Sequence, residues 1–488
     1  MHNSNLQPER VSLTPGSRIY FIGIGGISMS GLAEIAKNSG FLVSGSDRHL
    51  SARTESLERQ GIRVHEGHQT ANLSAFKPDL VVHTAAVHAD NPELAFSRES
   101  GIPTVDRAAF LGWLNEQFET VINISGTHGK TTTTALCSLM LMDAGVDPTV
   151  HLGAELKQFH STVRLGRSGG LMVSEACEYM RSFLKFRSTT AAVLNIDYDH
   201  VDCFSDLQEV IDTFTAFADR LPENGQLVVP SFDPNVRVML DQLASARKDR
   251  GAAMPAVWTF GLASETINGL KPTVHASNLV YDLGMPRFDV FVQDAFYAHI
   301  ELAIPGRHNV ANALAAIACA HLNGGTPDSA VRVLNHYEGA EGRFTHTGTY
   351  RGALVIADYA HHPAAARATL EAAANIPHKH LWVVFQPLTY SRTKVLFNDY
   401  VDALKDCELV IFSEIFSDRE VNPGDISSRM ISDQINALGG HSVFAEDFGS
   451  IRSQLDEIVE PGDLILVLGP EDIRSFADQL TGRENIWA

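Results

Sequence analysis

The sequence predicts an α/β protein made of three domains in series, each a parallel sheet covered by helices. Three observations predict it. Short apolar runs alternate with helical lengths along the chain, the pattern of a parallel sheet covered on both faces. Two of those runs, Arg18-Ile-Tyr-Phe-Ile and Val121-Ile-Asn-Ile-Ser, end in glycine turns at Gly23 and Gly126. At 488 residues the chain is long enough for two to four cores.

The first domain is expected over residues 1–118. Arg18–Gly23 reads as a buried strand, 30–39 as a helix and Phe41–Asp47 as the next strand. Asp79–His83 and Thr104-Val105 supply further strands. The second domain, 119–340, opens on the strand before Gly126. Its other strands are Gly170–Ser174, Ala191–Asn195 and Gly225–Pro230. From Ala256 to Pro305 alternation and turn residues mark a β-rich insert, and an alanine-rich helix follows Gly306. The third domain, 341–488, has buried-strand candidates at Leu354–Ala357, Leu381–Phe385, Leu409–Phe412 and Asp463–Leu468.

Composition narrows the function. Apolar residues make up 44% and charged residues 20%, ordinary for a globular protein. A formal charge of −20 argues against a general nucleic-acid or anionic-membrane binder, so phosphate recognition must be local. No apolar run reaches the roughly 18 residues of a spanning helix, and Met1–Asn5 lacks a signal-peptide pattern. The five cysteines (137, 177, 203, 319 and 407) are scattered without a C-x-x-C pair. They read as reduced thiols of a cytoplasmic protein.

The richest chemistry sits in Gly126-Thr127-His128-Gly129-Lys130-Thr131-Thr132. A strand, a glycine loop and a helix in that order build a phosphate cradle, because backbone N–H groups and the helix N-terminus face the anion. Lys130 brings a full charge to the β/γ oxygens, and the Thr131 hydroxyl suits Mg²⁺. Position 124 is Ile, so the loop is a shortened variant of the general pattern. The central domain is therefore of P-loop type and ATP-using.

The turn Gly23-Ile24-Gly25-Gly26-Ile27-Ser28 is Rossmann-like, with Ser28 in place of the third glycine. Asp47 follows at the spacing of a ribose-binding acid. A nicotinamide or flavin cofactor and a pyrophosphate-bearing nucleotide sugar both fit. The ATP loop next door makes the nucleotide-diphosphate substrate the more economical choice.

Glu175 and His200 each follow an apolar strand, where side chains reach the ligand crevice. A carboxylate suits Mg²⁺ better than an imidazole does. Glu178 and Asp199 read as orienting neighbours or facing solvent. Asn309 and Asn312, at the start of the alanine-rich helix, can read an adenine edge or cap the helix, and the residues alone leave both open. Asp358-Tyr359-Ala360-His361-His362-Pro363 and Gln386–Thr393, which includes Arg392, end two strands with groups suited to an amino-acid carboxylate and to ATP.

Taken in this order, the motifs resemble the Mur ligases over nearly the whole chain. The residues that carry the resemblance are Gly23–Gly31, Gly67-His68, Asn91-Pro92-Glu93, Gly126–Thr134, Glu175–Tyr179, Asn195–His200, His308–Asn312, Asp358–Pro363 and Gln386–Thr393. Glu175–Tyr179 and Gln386–Thr393 look most like the alanine-adding member. The resemblance implies a Rossmann-like first domain holding UDP-N-acetylmuramate through Gly25, Gly26, Ser28, Asp47, His68 and Thr84. It implies ATP on Gly126, Thr127, His128, Gly129, Lys130, Thr131, Thr132, Asn309, Asn312, Arg343 and Asp358. Mg²⁺ (or Mn²⁺) would sit on Thr131, Glu175 and His200. A Rossmann-like third domain would bring Tyr359, His361 and Arg392 to L-alanine, with Lys130, His200, Arg343 and Arg392 as catalytic groups. A cytoplasmic monomer or weak homodimer is expected.

Four places in the third domain depart from the family's pattern. Ala357 stands where a second acid is usual, Leu388 where His is common, and Pro470-Glu471 in a turn usually Gly-Ala-Gly-Asp. Arg-Arg-Phe is reduced to Gly342-Arg343-Phe344. These bear on amino-acid identity, so a muropeptide-recycling ligase or a paralogue acting on another carboxylate stay as alternatives.

Overall fold

The computed structural model describes residues 13–84, 87–88, 90–159, 161–265, 269–282, 284–340, 342–417 and 420–483. The expected domain start at Glu341, the chain ends and the side chain of Glu471 lie outside the described residues. Packing gathers the chain into two compact units. One comprises Met1–Ile196, Ile211–Val274 and Ala315–Ala330; the other comprises Asp197–Val210, His275–Leu314 and Val331–Ala488. The first expected domain and most of the second thus share one unit.

In the first unit, strands β1 (Arg18–Ile22), β2 (Leu42–Asp47), β3 (Arg63–Glu66), β4 (Leu80–His83) and β5 (Thr104–Asp106) form a sheet in the order β3-β2-β1-β4-β5. All are parallel. β1 is central, and Ile19, Tyr20, Phe21 and Ile22 are fully buried. Strand order reverses beside it, which opens a crevice at the carboxyl ends of β1 and β4. The helix after β1 runs Ile27–Asn38, three residues earlier than expected. Gly26 is already extended (ψ 145°) and serves as its N-cap, so the turn passes straight into helix.

The same unit holds β6 (Thr120–Ser125), β7 (Thr149–Leu156), β8 (Ser161–Arg164), β9 (Leu171–Glu175), β10 (Thr190–Val193), β11 (Gln226–Pro230) and β12 (Ala256–Leu262). Their order is β12-β11-β10-β6-β9-β7-β8, parallel except for the β7/β8 hairpin. Ile124 of β6 pairs with Glu175 of β9, and Ser125 with Val193 of β10. The register therefore brings the phosphate loop and Glu175 to one edge.

In the second unit, β13 (Val274–Asp282), β14 (Met285–Val292) and β15 (Ala295–Glu301) bear out the β-rich insert. Strands β16 (Thr345–Tyr350), β17 (Ala353–Asp358), β18 (Leu381–Phe385), β19 (Leu409–Phe412), β20 (Ser442–Phe444) and β21 (Leu464–Leu468) form a sheet in the order β16-β17-β21-β18-β19-β20. The two-residue strand period divides its core. Leu464, Leu466 and Leu468 face one cluster with Ile356, Val383 and Phe385, while Ile465 and Val467 face the other with Val355 and Val384. Each such side chain contributes roughly 1.5–3 kcal/mol by leaving water. Asp358 and Phe385 both lie level with Leu468, so the two motif loops emerge at the same end.

Candidate active site

In the first unit, four residues join β6 to the helix Lys130–Asp143. Gly126 (φ 138°) and Gly129 (φ 86°) make that turn. A Cβ on Gly126 would lie 2.9 Å from Leu194 N, so only glycine fits. Asn195 clamps the loop from both sides: its Oδ1 accepts from His128 N at 2.8 Å and its Nδ2 donates to His128 O at 3.0 Å. Thr127, Thr131 and Thr132 are buried beside it.

Lys130 Nζ donates to Gly126 O (2.6 Å), Thr127 O (3.2 Å) and both carboxylate oxygens of Glu178 (3.1 and 2.9 Å). Burial pulls its pKa down, but Glu178, with Cys177 and Glu175, holds it above the ordinary value. The lysine is thus a retained cation folded back on its own loop, where an incoming phosphate competes with two carbonyls.

Glu175 ends β9, and its Oε1 accepts from Gly153 N at 2.7 Å. A Cβ on Gly153 would come within 2.9 Å of Oε2, so glycine leaves that oxygen room. A fixed carboxylate and the Thr131 hydroxyl are hard oxygen donors of the kind Mg²⁺ takes, and this pair fits the ion. His200 belongs to the second unit. It takes a left-handed backbone (φ 50°), and its N–H donates to Asp199 Oδ1 at 2.6 Å.

At the carboxyl end of the first sheet, Gly25 N donates to Asp47 Oδ2 at 2.7 Å, so Asp47 braces the glycine turn. Gly23 packs on Thr84, whose Cγ2 would meet an added Cβ at 2.9 Å. Gly25, Gly26, Asp47 and Thr84 thus stand at one end of the sheet. Ser28 Oγ accepts from Arg107 Nη1 (2.9 Å) and lies within hydrogen-bond distance of His151 Nε2 (3.0 Å). His68 is placed by Glu93. That fully buried carboxylate accepts from Tyr20 OH (2.9 Å), Asn72 Nδ2 (2.8 Å), Gln69 N (3.2 Å) and Ser46 Oγ. Since the Ser46 proton goes to Glu93, its oxygen accepts from His68 Nδ1–H at 2.9 Å, which leaves Nε2 as the ring's acceptor.

In the second unit, the Arg392 Nε and Nη2 atoms both lie 2.7 Å from Asp199 Oδ1. Arg392 is 5% exposed, yet its Nη1 has no hydrogen-bond partner among the described residues. A buried guanidinium N–H left unsatisfied by the protein is the signature of a site for an anion. Burial pushes the Asp199 carboxyl up, but Arg392, with His200, His362 and His361, holds it well below its ordinary value. Burial and then Arg392 press His361 well below its ordinary value, so its ring is neutral. His361 Nδ1 donates to Tyr359 O at 2.8 Å, and Tyr400 OH donates to His361 O at 2.7 Å.

Tyr359 stands 4.7 Å from His361, ring edge to face. The guanidiniums of Arg343 and Arg474 each lie 4.9 Å from its centroid, within cation–π range. Asp358 accepts from Thr369 Oγ1 at 3.1 Å, and burial raises its pKa against the pull of Arg343. Asn309 Nδ2 donates to Pro305 O (2.7 Å), and Asn312 Nδ2 donates to Asn309 Oδ1 (3.1 Å). The two amides brace the helix Arg307–Leu322 at its start.

Of the two readings the sequence left for Glu178 and Asp199, the structure takes the first: each is buried and orients the principal cation of its unit, and neither faces solvent. Their adjacency to the Glu175 and His200 motifs was the available signal. Arg107, His151 and Arg474 carried no signal, because the residues they meet are distant in the chain.

Models of the Mur ligase family match three successive stretches. These are the catalytic domain over residues 18–119, the middle domain over 124–320 and the glutamate ligase domain over 342–470. A UDP-N-acetylmuramate–L-alanine ligase of Acetivibrio thermocellus is 41% identical over 455 residues, 93% of each chain. One from Caldanaerobacter subterraneus subsp. tengcongensis is 39% identical, covering 96% of this chain and 98% of its own. Among solved structures, a UDP-N-acetylmuramate–alanine ligase of Thermotoga maritima superposes with a TM-score of 0.73 at 26% identity, covering 95% of this chain and 98% of its own. A murein peptide ligase of Psychrobacter arcticus shares the fold with a TM-score of 0.67 at 23% identity, covering 95% and 99%. The glycine-borne Lys130, the oxygen donors beside it and these full-length matches agree: the chain belongs to the Mur ligase family.

Proposed function

We propose that this chain joins L-alanine to the carboxylate of UDP-N-acetylmuramate, using ATP, in the synthesis of a peptidoglycan precursor. The observation that carries the reading is Lys130, a half-buried cation at a helix N-terminus behind Gly126 and Gly129. In this reading residues 1–118 hold the UDP end of the substrate, 119–340 hold ATP and 341–488 hold the amino acid. The chain works in the cytoplasm as a monomer or weak homodimer; among the described residues no helix is long and apolar enough to cross a membrane.

The chemistry answers one obstacle: a carboxylate has no adequate leaving group for an amine to displace. A muramyl carboxylate oxygen attacks the γ-phosphorus, the bond to the ADP oxygen breaks, and an acyl phosphate forms. The amine of alanine then adds to the acyl carbon. The tetrahedral adduct loses inorganic phosphate and a proton, leaving an amide. Two anions must meet in the first step, so Lys130 turns from its carbonyls to the phosphate oxygens and offsets their charge. Thr131, Glu175 and His200 would hold Mg²⁺, which supplies further charge neutralisation on the phosphates. Asn309 and Asn312 serve adenine, and Arg343 and Asp358 the nucleotide. The bare Nη1 of Arg392 takes the alanine carboxylate between Tyr359 and His361.

Phosphate release from ATP and Mg²⁺ tests the reading, with UDP-N-acetylmuramate and each amino acid or the muropeptide tripeptide in turn. Release that requires both the sugar nucleotide and L-alanine is the expected result. Release with the tripeptide alone would assign the recycling reaction, and no release from ATP-binding protein would mean another carboxylate.

A further inference from the structure

Arg392, read above as the holder of the amino-acid carboxylate, rides on a helix too short to hold itself. The helix Tyr390–Val395 has six residues, and a helix alone in water is marginal even at roughly 12. It opens on Thr389, a β-branched residue at φ 62° and ψ 143°, whose side chain makes no cap bond. Positive φ strains such a residue, and strained backbone persists only where its surroundings over-determine it.

The surroundings come from the stretch that follows β19. Thr389 N donates to Phe416 O and Phe416 N to Pro387 O, both at 2.9 Å, so Leu388 and Phe416 form a parallel bridge. Gln386 Nε2 adds a bond to Glu414 O at 3.3 Å. Tyr390 packs into a small apolar cluster with Ile415 and Ile426. The bridge uses backbone atoms, so it forms with Leu388 in place of the family's common His.

Glu420, in the same stretch, completes the helix start. Its Oε2 accepts from Ser391 N at 2.9 Å, and its Oε1 accepts from Ser391 Oγ. Ser391 N belongs to the first turn, where amides have no partner inside the helix. A carboxylate 29 residues further along the chain thus supplies the cap that Thr389 does not. Its charge also suits the positive end of a helix. Arg392 follows Ser391 directly, and its guanidinium must reach Asp199 while leaving Nη1 bare. A side chain of that length magnifies any rotation of the helix start, so holding Ser391 holds Nη1.

We propose that Glu420 is a positioning residue for Arg392: it caps the helix that carries the arginine and so sets the affinity for the amino-acid substrate. This rests on the reading of Arg392 as the group that takes the alanine carboxylate. It adds a residue that touches no substrate and acts through the backbone of its neighbour loop.

The test measures KM for L-alanine, ATP and UDP-N-acetylmuramate by phosphate release from the full-length protein. The proteins are wild type, Glu420→Ala, Glu420→Gln and Ser391→Ala, with Glu420→Ala also made in an Arg392→Lys background. Glu420→Ala should raise the KM for L-alanine about tenfold, since two hydrogen bonds to a charged acceptor are lost, and move the other two by less than about twofold. Glu420→Gln, which keeps an acceptor oxygen, and Ser391→Ala, which keeps the backbone bond, should fall between. In the Arg392→Lys background the further rise should shrink below about twofold, because the guanidinium being positioned is gone. An unchanged KM for L-alanine, an equal rise in all three KM values, or the same rise in both backgrounds overturns the proposal and leaves the alanine reading intact. Wild-type protein that uses the tripeptide in place of L-alanine overturns that reading, and the same KM series on the tripeptide then decides for Glu420. Wild-type protein that releases phosphate with neither overturns both. Should Glu420→Ala not fold, or Arg392→Lys be inactive, the split among the three KM values in Glu420→Gln and Ser391→Ala decides.

Discussion

Lys130 Nζ lies 2.9 Å from Glu178 Oε2, with the acid 2% exposed and the lysine 16%. In the proposed reaction the lysine that meets phosphate starts out held by a buried carboxylate. Lys130→Ala should lower ATP turnover by about three orders of magnitude. It should leave UDP-N-acetylmuramate affinity unchanged. It also strands Glu178, at a stability cost of about 3 kcal/mol, because an unpaired buried charge is expensive. Adding Glu178→Ala should restore much of the stability and none of the turnover. Substantial turnover in Lys130→Ala would remove the loop's assignment.

The Arg392–Asp199 pair makes a prediction with a definite pH sign. The Asp199 carboxyl is held well below its ordinary value of 3.8. A group depressed by folding stabilises above its unfolded value and loses that contribution as pH falls through the folded one. Asp199→Asn should therefore cost about 3 kcal/mol near neutrality. The gap to wild type should close as pH drops below 3.8. Denaturant titrations at a series of pH values would show it, and a gap independent of pH would refute the coupling. The KM for L-alanine should rise in the same variant, since Arg392 loses its anchor.

His151 predicts a slope in a different window. Its pKa falls from 6.5 to about 4 on folding, by burial and then by Arg107. Between those values the unfolded chain takes up a proton that the folded one refuses, so stability falls as pH is lowered through the window. The contribution is about 3 kcal/mol at its full extent. His151→Gln should flatten the stability curve between pH 6.5 and 4, read as melting temperature against pH.

Glu93 is the hub of the first sheet's polar network, holding Tyr20, Ser46, His68, Gln69 and Asn72. Glu93→Ala leaves several buried donors without a partner, at a cost of about 3 kcal/mol or more. A fall of several degrees in melting temperature is expected. Glu93→Gln, which keeps an acceptor, should cost less and still weaken UDP-N-acetylmuramate by mobilising His68.

Local chemistry made much of this protein legible in its sequence. Apolar runs of four to six residues with helices between them point to a covered, mainly parallel sheet, and the strands at Arg18–Ile22, Thr120–Ser125 and Leu464–Leu468 follow. Gly126 and Gly129 announced a phosphate loop because that turn takes a positive φ at both, which favours glycine, and a Cβ on Gly126 would meet Leu194. What tertiary structure alone decided is the pairing of charges across long chain separations. Arg392 reaches Asp199 across 193 residues and Ser28 reaches His151 across 123. Periodicity and turn chemistry are properties of neighbours in the chain, so sequence displays them. Which buried charge meets which depends on strand order and on the burial that makes an unpaired charge intolerable, and both exist only once the sheets have formed.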